Sequence, residues 1–163
     1  MLYSLDALYR IQKLNDAISS LIEISKTYQS EALNLYMHVG SLRWLKDSCT
    51  VKVCGPRRSG HTLSICHILL TDCTKAIVVA QDEAHRKIIK NMLEKHNLKD
   101  KAFVRSIKSS KSTEGPVDII DRIIVDRASE LNDAERDQIY NLAIPFAEAC
   151  RLSDIPFVLV FLQ

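Results

Sequence analysis

Glycine is scarce in this chain. Four occur among 163 residues, Gly40, Gly55, Gly60 and Gly115, about a third of average usage. With 47% hydrophobic and 26% charged residues, the composition excludes a collagen-like or disordered chain. An excess of either charge is also missing. Lys and Arg number 22 against 20 Asp and Glu, a net charge of +2, so any nucleic-acid binding must come from local patches. Long apolar runs are lacking, and Phe157–Leu162 is far short of a membrane span. The N-terminus shows no basic start followed by an apolar block, so it does not read as a signal peptide and no membrane partner is expected. No C-x-x-C occurs, and the five cysteines make an odd count. Reduced thiols in a cytoplasmic setting are the expectation. The pairs Cys49/Cys54 and His67/Cys73 fall short of the four convergent ligands of a zinc site, and the cysteines read as small buried side chains.

What is present begins with a helix. The first 39 residues hold no glycine or proline. Ile11, Leu14, Ile18, Leu21, Ser25, Tyr28, Ala32, Leu35, Val39 and Leu42 recur three and four apart, a seam that can face a partner helix. Two readings follow: a coiled-coil-like helix that makes a homo-oligomer or meets a protein partner, or a helical hairpin folded onto its own domain and broken near Thr27–Ser30. Leu8, Ile22, Ile24, Leu33 and Tyr36 widen the apolar face and favour the second. Residues 1–47 are assigned to this extension, Gly40 to a break, and 41–47 to a short helix.

From about residue 48 the rhythm changes. Short apolar runs at 50–54, 76–80, 102–107, 122–126 and 157–162 read as strands. Helices are expected at 62–71, from Asp82 to about His96, and from Asn132 with Glu135 in the capping-box position and Pro145 as a kink or break. Continuously apolar strands alternating with helices predict an α/β fold whose mainly parallel sheet is covered on both faces, over 48–163.

The two paired glycines fall in the turn after the first strand, Gly55-Pro56-Arg57-Arg58-Ser59-Gly60-His61-Thr62. The pattern is G-x-x-x-x-G followed by His-Thr, where a phosphate-binding loop carries Lys-Ser or Lys-Thr. Such spacing lets successive backbone N–H groups face phosphate oxygens at a helix start. Thr62 is then placed to hold Mg²⁺. About sixty residues on, Ile123, Ile124 and Val125 lead into Asp126, a carboxylate at a strand tip that can join the same metal shell. Asp121 is the weaker alternative, because only Ile119 and Ile120 precede it.

The order strand, GPRRSGHT, helix, AIVVAQDEAHRKIIKNML, then GPVDIIDRIIVDRASEL resembles the first RecA-like domain of superfamily 2-type helicases and viral terminase ATPases, over about residues 42–163. The resemblance implies a RecA-like P-loop fold that binds ATP with Mg²⁺ in viral or cellular DNA transactions. It assigns Gly55, Gly60 and Thr62 to phosphate and metal, and Asp126 to the Walker B aspartate. Two departures stand out. His61 replaces the Walker lysine, a permanent cation, with a shorter group that titrates near pH 6.5. Arg57 or Arg58 is the candidate substitute, with Ser59 completing the loop. Arg127 replaces the glutamate that orients the attacking water, which arginine cannot do. Glu130 is the nearest carboxylate in its stead. Hydrolysis is therefore expected to be slow or absent without a partner. The alternative is a non-catalytic interaction protein, viral in one version, that keeps the fold to bind or inhibit a nucleic-acid enzyme or host factor.

Lys99, Lys101, Arg105, Lys108 and Lys111 form a basic stretch ending near Gly115, a candidate contact for nucleic-acid phosphates. Trp44 and Tyr36 could stack on an adenine ring, but core packing explains them better. His67 and His85 have no sequence neighbour that makes a catalytic pair and are read as structural.

Overall fold

The computed structural model describes residues 5–31, 40–54, 61–71, 73–108 and 119–163. Helix α1 spans Leu5–Glu31, and α2 spans Ser41–Trp44 and continues as one π-helical turn over Leu45–Cys49. Then follow β1 (Thr50–Val53), α3 (His61–Leu70), β2 (Ala76–Ala80), α4 (Glu83–Lys95) and β3 (Ala102–Ser106). The chain continues with β4 (Arg122–Val125), a 3-10 turn over Ala128–Glu130, α5 (Asp133–Leu152) and β5 (Val158–Leu162). All five expected strands are present.

The strands form one sheet in the order β1-β5-β4-β2-β3, and all four pairings are parallel. Strands β2, β4 and β5 are buried throughout, as continuous apolar runs demand when helices cover both faces. Alternation sorts their side chains. Val78, Ile124 and Val160 join Ile18, Ile22, Ile65, Ile68 and Ile89 in a core beneath α1, α3 and α4. Ile77, Val79, Ile123, Val125, Leu159 and Phe161 point the other way, onto Trp44, Ile139, Tyr140 and Ala143 of α2 and α5. Trp44 is thus a core residue, while Tyr36 lies outside the described residues.

Helix α1 packs on this body. Ile18 and Ile22 are fully buried, each stabilising by about 1.5–3 kcal/mol. The polar contacts are as specific. Gln29 Nε2 donates to Phe157 O at 2.7 Å, and Gln29 Oε1 accepts from Phe157 N–H at 3.1 Å. These bonds satisfy both backbone groups just before β5. Ser25 Oγ donates to Ser48 O at 2.8 Å, and Ser19 Oγ lies 2.7 Å from His67 Nε2 on α3. The expected break near Thr27–Ser30 does not occur, because α1 runs through to Glu31 while Ser25 and Gln29 hold its last turns. Residues 32–39, the other arm of a hairpin, lie outside the described residues.

Pro145 does not break α5 either. Burial of Ile139, Tyr140, Ala143, Ala147 and Cys150 against the sheet holds the helix across the lost hydrogen bond. Its start is the expected capping box. Asn132 Oδ1 accepts from Glu135 N–H at 2.9 Å, and Glu135 Oε2 accepts from Asn132 N–H at 3.0 Å.

Candidate functional site

In a parallel sheet every strand ends on the same edge, and ligands bind in the crevice outside those ends. Here the order places β5 between β1 and β4. The C-terminal ends of β1 and β4 therefore stand two strand spacings apart, about 10 Å. The first turn of α3 lies at the end of β4. From its second position, Thr62 Oγ1 donates to Asp126 Oδ2 at 2.9 Å. The two residues singled out for metal binding, 64 positions apart, are in contact.

Asp126 directly follows β4, and its N–H donates to Val79 O at 3.2 Å, extending the pairing with β2. The residue is only 1% exposed. A buried carboxylate needs donors, and three are supplied. Oδ2 also meets His85 Nε2 at 3.0 Å, and Oδ1 accepts from Arg127 N–H at 3.0 Å. Arg127 itself adopts left-handed backbone, φ 55°. That conformation costs a non-glycine residue about 1–3 kcal/mol, so it persists where the surroundings impose it. Arg136 of α5 braces the turn, donating from Nη2 to Ala128 O at 3.0 Å and from Nε to Leu131 O at 3.3 Å.

His85 has a partner that its sequence neighbourhood does not show. It stands in the first turn of α4, 3% exposed and against Asp126. Asp82 caps α4 by accepting from His85 N–H at 2.7 Å, which fixes the histidine backbone. Gln81 N–H faces His85 Nδ1 at 3.5 Å. Nδ1 is then the acceptor, and Nε2 carries the proton given to Asp126. The carboxylate lies at the N-terminal turns of two helices, α3 and α4, whose dipoles favour negative charge.

The other sequence candidates fall as follows. Gly55, Arg57, Arg58, Ser59 and Gly60 lie outside the described residues, as does the side chain of His61, whose backbone opens α3. Glu130 is exposed on the 3-10 turn beyond Asp126, and Arg127 is exposed before it. Asp121 occupies the opposite edge of the sheet, accepting from Thr74 N–H at 2.9 Å and from the Cys73 thiol at 3.5 Å. The basic stretch is divided by β3. Lys99 and Lys101 precede the strand, whereas Arg105 is in its last turn of pleat and Lys108 follows it; Lys111 is outside the described residues. Lys101 is engaged with the end of α3, its Nζ donating to Leu69 O at 3.4 Å and Cys73 O at 3.2 Å. Arg122, fully buried, donates to Ile68 O and Thr71 O there.

Thiols are poor candidates for chemistry. Burial pushes Cys73 up to about 12, with help from the Asp121 charge, and Cys150 up to about 11. Cys49 is raised by burial too. Cys54 is the exposed exception, at the end of β1, and donates to Gln163 Oε1 at 3.0 Å.

Among the described residues there is no group of three or more His, Cys, Asp or Glu able to hold a metal. Thr62 and Asp126 offer hydroxyl and carboxylate oxygens, the donor type Mg²⁺ prefers, and Mg²⁺ commonly takes its remaining ligands from water and substrate phosphate. The pair thus has the donor chemistry of two Mg²⁺ ligands out of six. No protein-family model, no curated protein and no solved structure matches this chain.

Proposed function

We propose that this protein binds a nucleoside triphosphate, ATP with Mg²⁺, at the carboxyl edge of its sheet, in a RecA-like P-loop arrangement. The observation that carries the reading is the contact between Thr62 Oγ1 and Asp126 Oδ2. A G-x-x-x-x-G turn can arise by chance, and so can an apolar strand ending in aspartate. Their meeting across an intervening strand, at the start of the helix that follows the glycine turn, is the arrangement phosphate and Mg²⁺ binding requires.

In this reading the backbone of the 55–60 turn and the N-terminus of α3 take the phosphates, with Arg57, Arg58 or His61 as the cation. The Thr62 hydroxyl and the Asp126 carboxylate hold the metal side. Mg²⁺, when bound, neutralises phosphate charge. His85 keeps the Asp126 carboxylate in one orientation. Binding is separable from hydrolysis, because Arg127 stands where a water-orienting carboxylate would be needed and Glu130 is exposed one turn further on. Turnover by the chain alone is accordingly slow or nil.

A titration with a fluorescent ATP analogue, with and without Mg²⁺, tests this. Saturable, Mg²⁺-strengthened binding is expected, with Gly60→Arg abolishing it and Thr62→Val removing the Mg²⁺ dependence. Absence of saturable binding at millimolar nucleotide overturns the reading. A non-catalytic interaction protein then takes its place, and one feature already suits it: Asp126 is fully hydrogen-bonded within the protein.

A further inference from the structure

Helix α1 carries two apolar stripes, and the body uses one. Ile18, Ile22, Ser25 and Gln29 are buried, and at 3.6 residues per turn they lie within an arc of about 60°. Ala17, Leu21, Ile24 and Tyr28 share a second arc of similar width, its centre about 100° round the helix. These four are exposed, Leu21 by 38%, Ile24 by 64% and Tyr28 by 46%. Their spacing of four, three and four is that of a helix–helix seam. The single seam read from the sequence is thus divided, with Ile18 and Ser25 given to the body and Leu21 and Tyr28 left outside.

We propose that the Ala17–Leu21–Ile24–Tyr28 stripe pairs antiparallel with the same stripe of a second copy of this chain. Size complementarity argues for that occupant and orientation. Antiparallel pairing sets Ala17 opposite Tyr28 at both ends, small against large, and Leu21 opposite Ile24, of equal size, in the middle. A parallel pair would crowd Tyr28 against Tyr28 and leave a gap between two alanines. Charge argues the same way. Arg10 and Lys13 are exposed at the N-terminal end of the stripe, with Lys13 Nζ over the Tyr9 ring, and Glu31 is exposed at the C-terminal end. Antiparallel chains bring the basic end of one beside Glu31 of the other, whereas parallel chains set like against like. Asp16 and Glu23 lie more than about 100° from the stripe centre, and Glu23 is paired with Lys26 at 3.0 Å. Such a C2 contact is isologous and closes on itself.

The stripe covers about 18 Å of helix, less than a standard interface requires. Association is therefore weak, in roughly the tens to hundreds of micromolar. Sedimentation velocity on the full chain over a concentration series should show the mean mass rising from monomer toward dimer. Ile24→Lys, an exposed position, should keep the far-UV circular dichroism of the wild type and sediment as monomer throughout. Charge exchange supplies a second route: Glu31→Lys should weaken association, and mixing it with Arg10→Glu/Lys13→Glu should restore it. For orientation, Ala17→Cys and Tyr28→Cys chains, each with Cys54→Ser, are mixed and mildly oxidised. Links between the two variants should then exceed links within either. A monomer up to millimolar concentration, or self-links dominating the mixture, overturns the proposal.

Discussion

Replacing His85 by leucine removes one hydrogen bond from a nearly waterless carboxylate, and the structure fixes what that costs. Leucine roughly conserves volume, so little cavity is added. Asp126 keeps Thr62 and the Arg127 amide but loses the Nε2–H donor at 3.0 Å. Hydrogen bonds to a charged group contribute about 1.5–3 kcal/mol, and with both partners buried there is no solvent screening to discount. A loss of about 2–3 kcal/mol is expected, or a fall in Tm of about 4–12 °C for a domain of this size. His85→Gln, whose amide can reach where Nε2 stood, should recover more than half. The decisive comparison is a double-mutant cycle. In an Asp126→Leu background the acceptor is gone, so His85→Leu should lose only its long 3.5 Å contact with the Gln81 N–H, a loss common to both backgrounds, giving a coupling of about 2 kcal/mol. Urea unfolding can be followed through Trp44, the one tryptophan of the chain, buried on the opposite sheet face. A His85→Leu loss below about 0.5 kcal/mol, or a coupling within error of zero, would refute the reasoning.

Three further outcomes follow from other parts of the molecule. Gln29→Leu strands the N–H and C=O of Phe157 at once and should cost about 2–4 kcal/mol, seen in urea unfolding and as faster proteolysis within α1. Asn132→Ala removes half of the capping box and should cost about 1 kcal/mol, with Tm falling by about 2–4 °C. Raised thiol pKa values make the thiolate rarer at a given pH. At pH 8 Cys73 and Cys150 should be thiolate in only about one part in ten thousand and one in a thousand. A chromogenic disulfide reagent should find one fast thiol, Cys54, with half-buried Cys66 slower and the three buried ones reacting only as pH rises or urea is added. Three or more fast thiols in the native protein would contradict the burial of Cys49, Cys73 and Cys150.

Periodicity carried the elements well because each is decided locally. The runs 76–80, 123–125 and 158–162 are apolar and buried at every position, which only a strand buried on both faces tolerates in so short a span. Asn132 and Glu135 mark a helix start through chemistry confined to four residues. Where the sequence misled, tertiary packing overrode the local signal. Pro145 should interrupt a solvated helix, yet α5 is held against the sheet on both sides of it. Thr27–Ser30 is weak helix by propensity, but Gln29 is tied to the backbone of Phe157, 128 residues away, and no local window contains that partner.

The same distinction explains the site. Asp126 and Thr62 could be nominated because each sits beside its own strand in a recognisable pattern. His85 could not, because its claim rests on a neighbour 41 residues later and on β2 lying beside β4. Parallel topology nevertheless narrows the search. Every strand ends on one edge, and the first turn of each following helix begins there, so a polar residue at a strand tip or in that first turn is carried to a common place. Thr62 after β1, His85 after β2 and Asp126 at the tip of β4 all satisfy that condition. Asp121 and Lys101 fail it, since both stand before their strands and serve the end of α3. Applied to the sequence alone, the condition would have brought His85 forward and moved Asp121 back, before any coordinate was known.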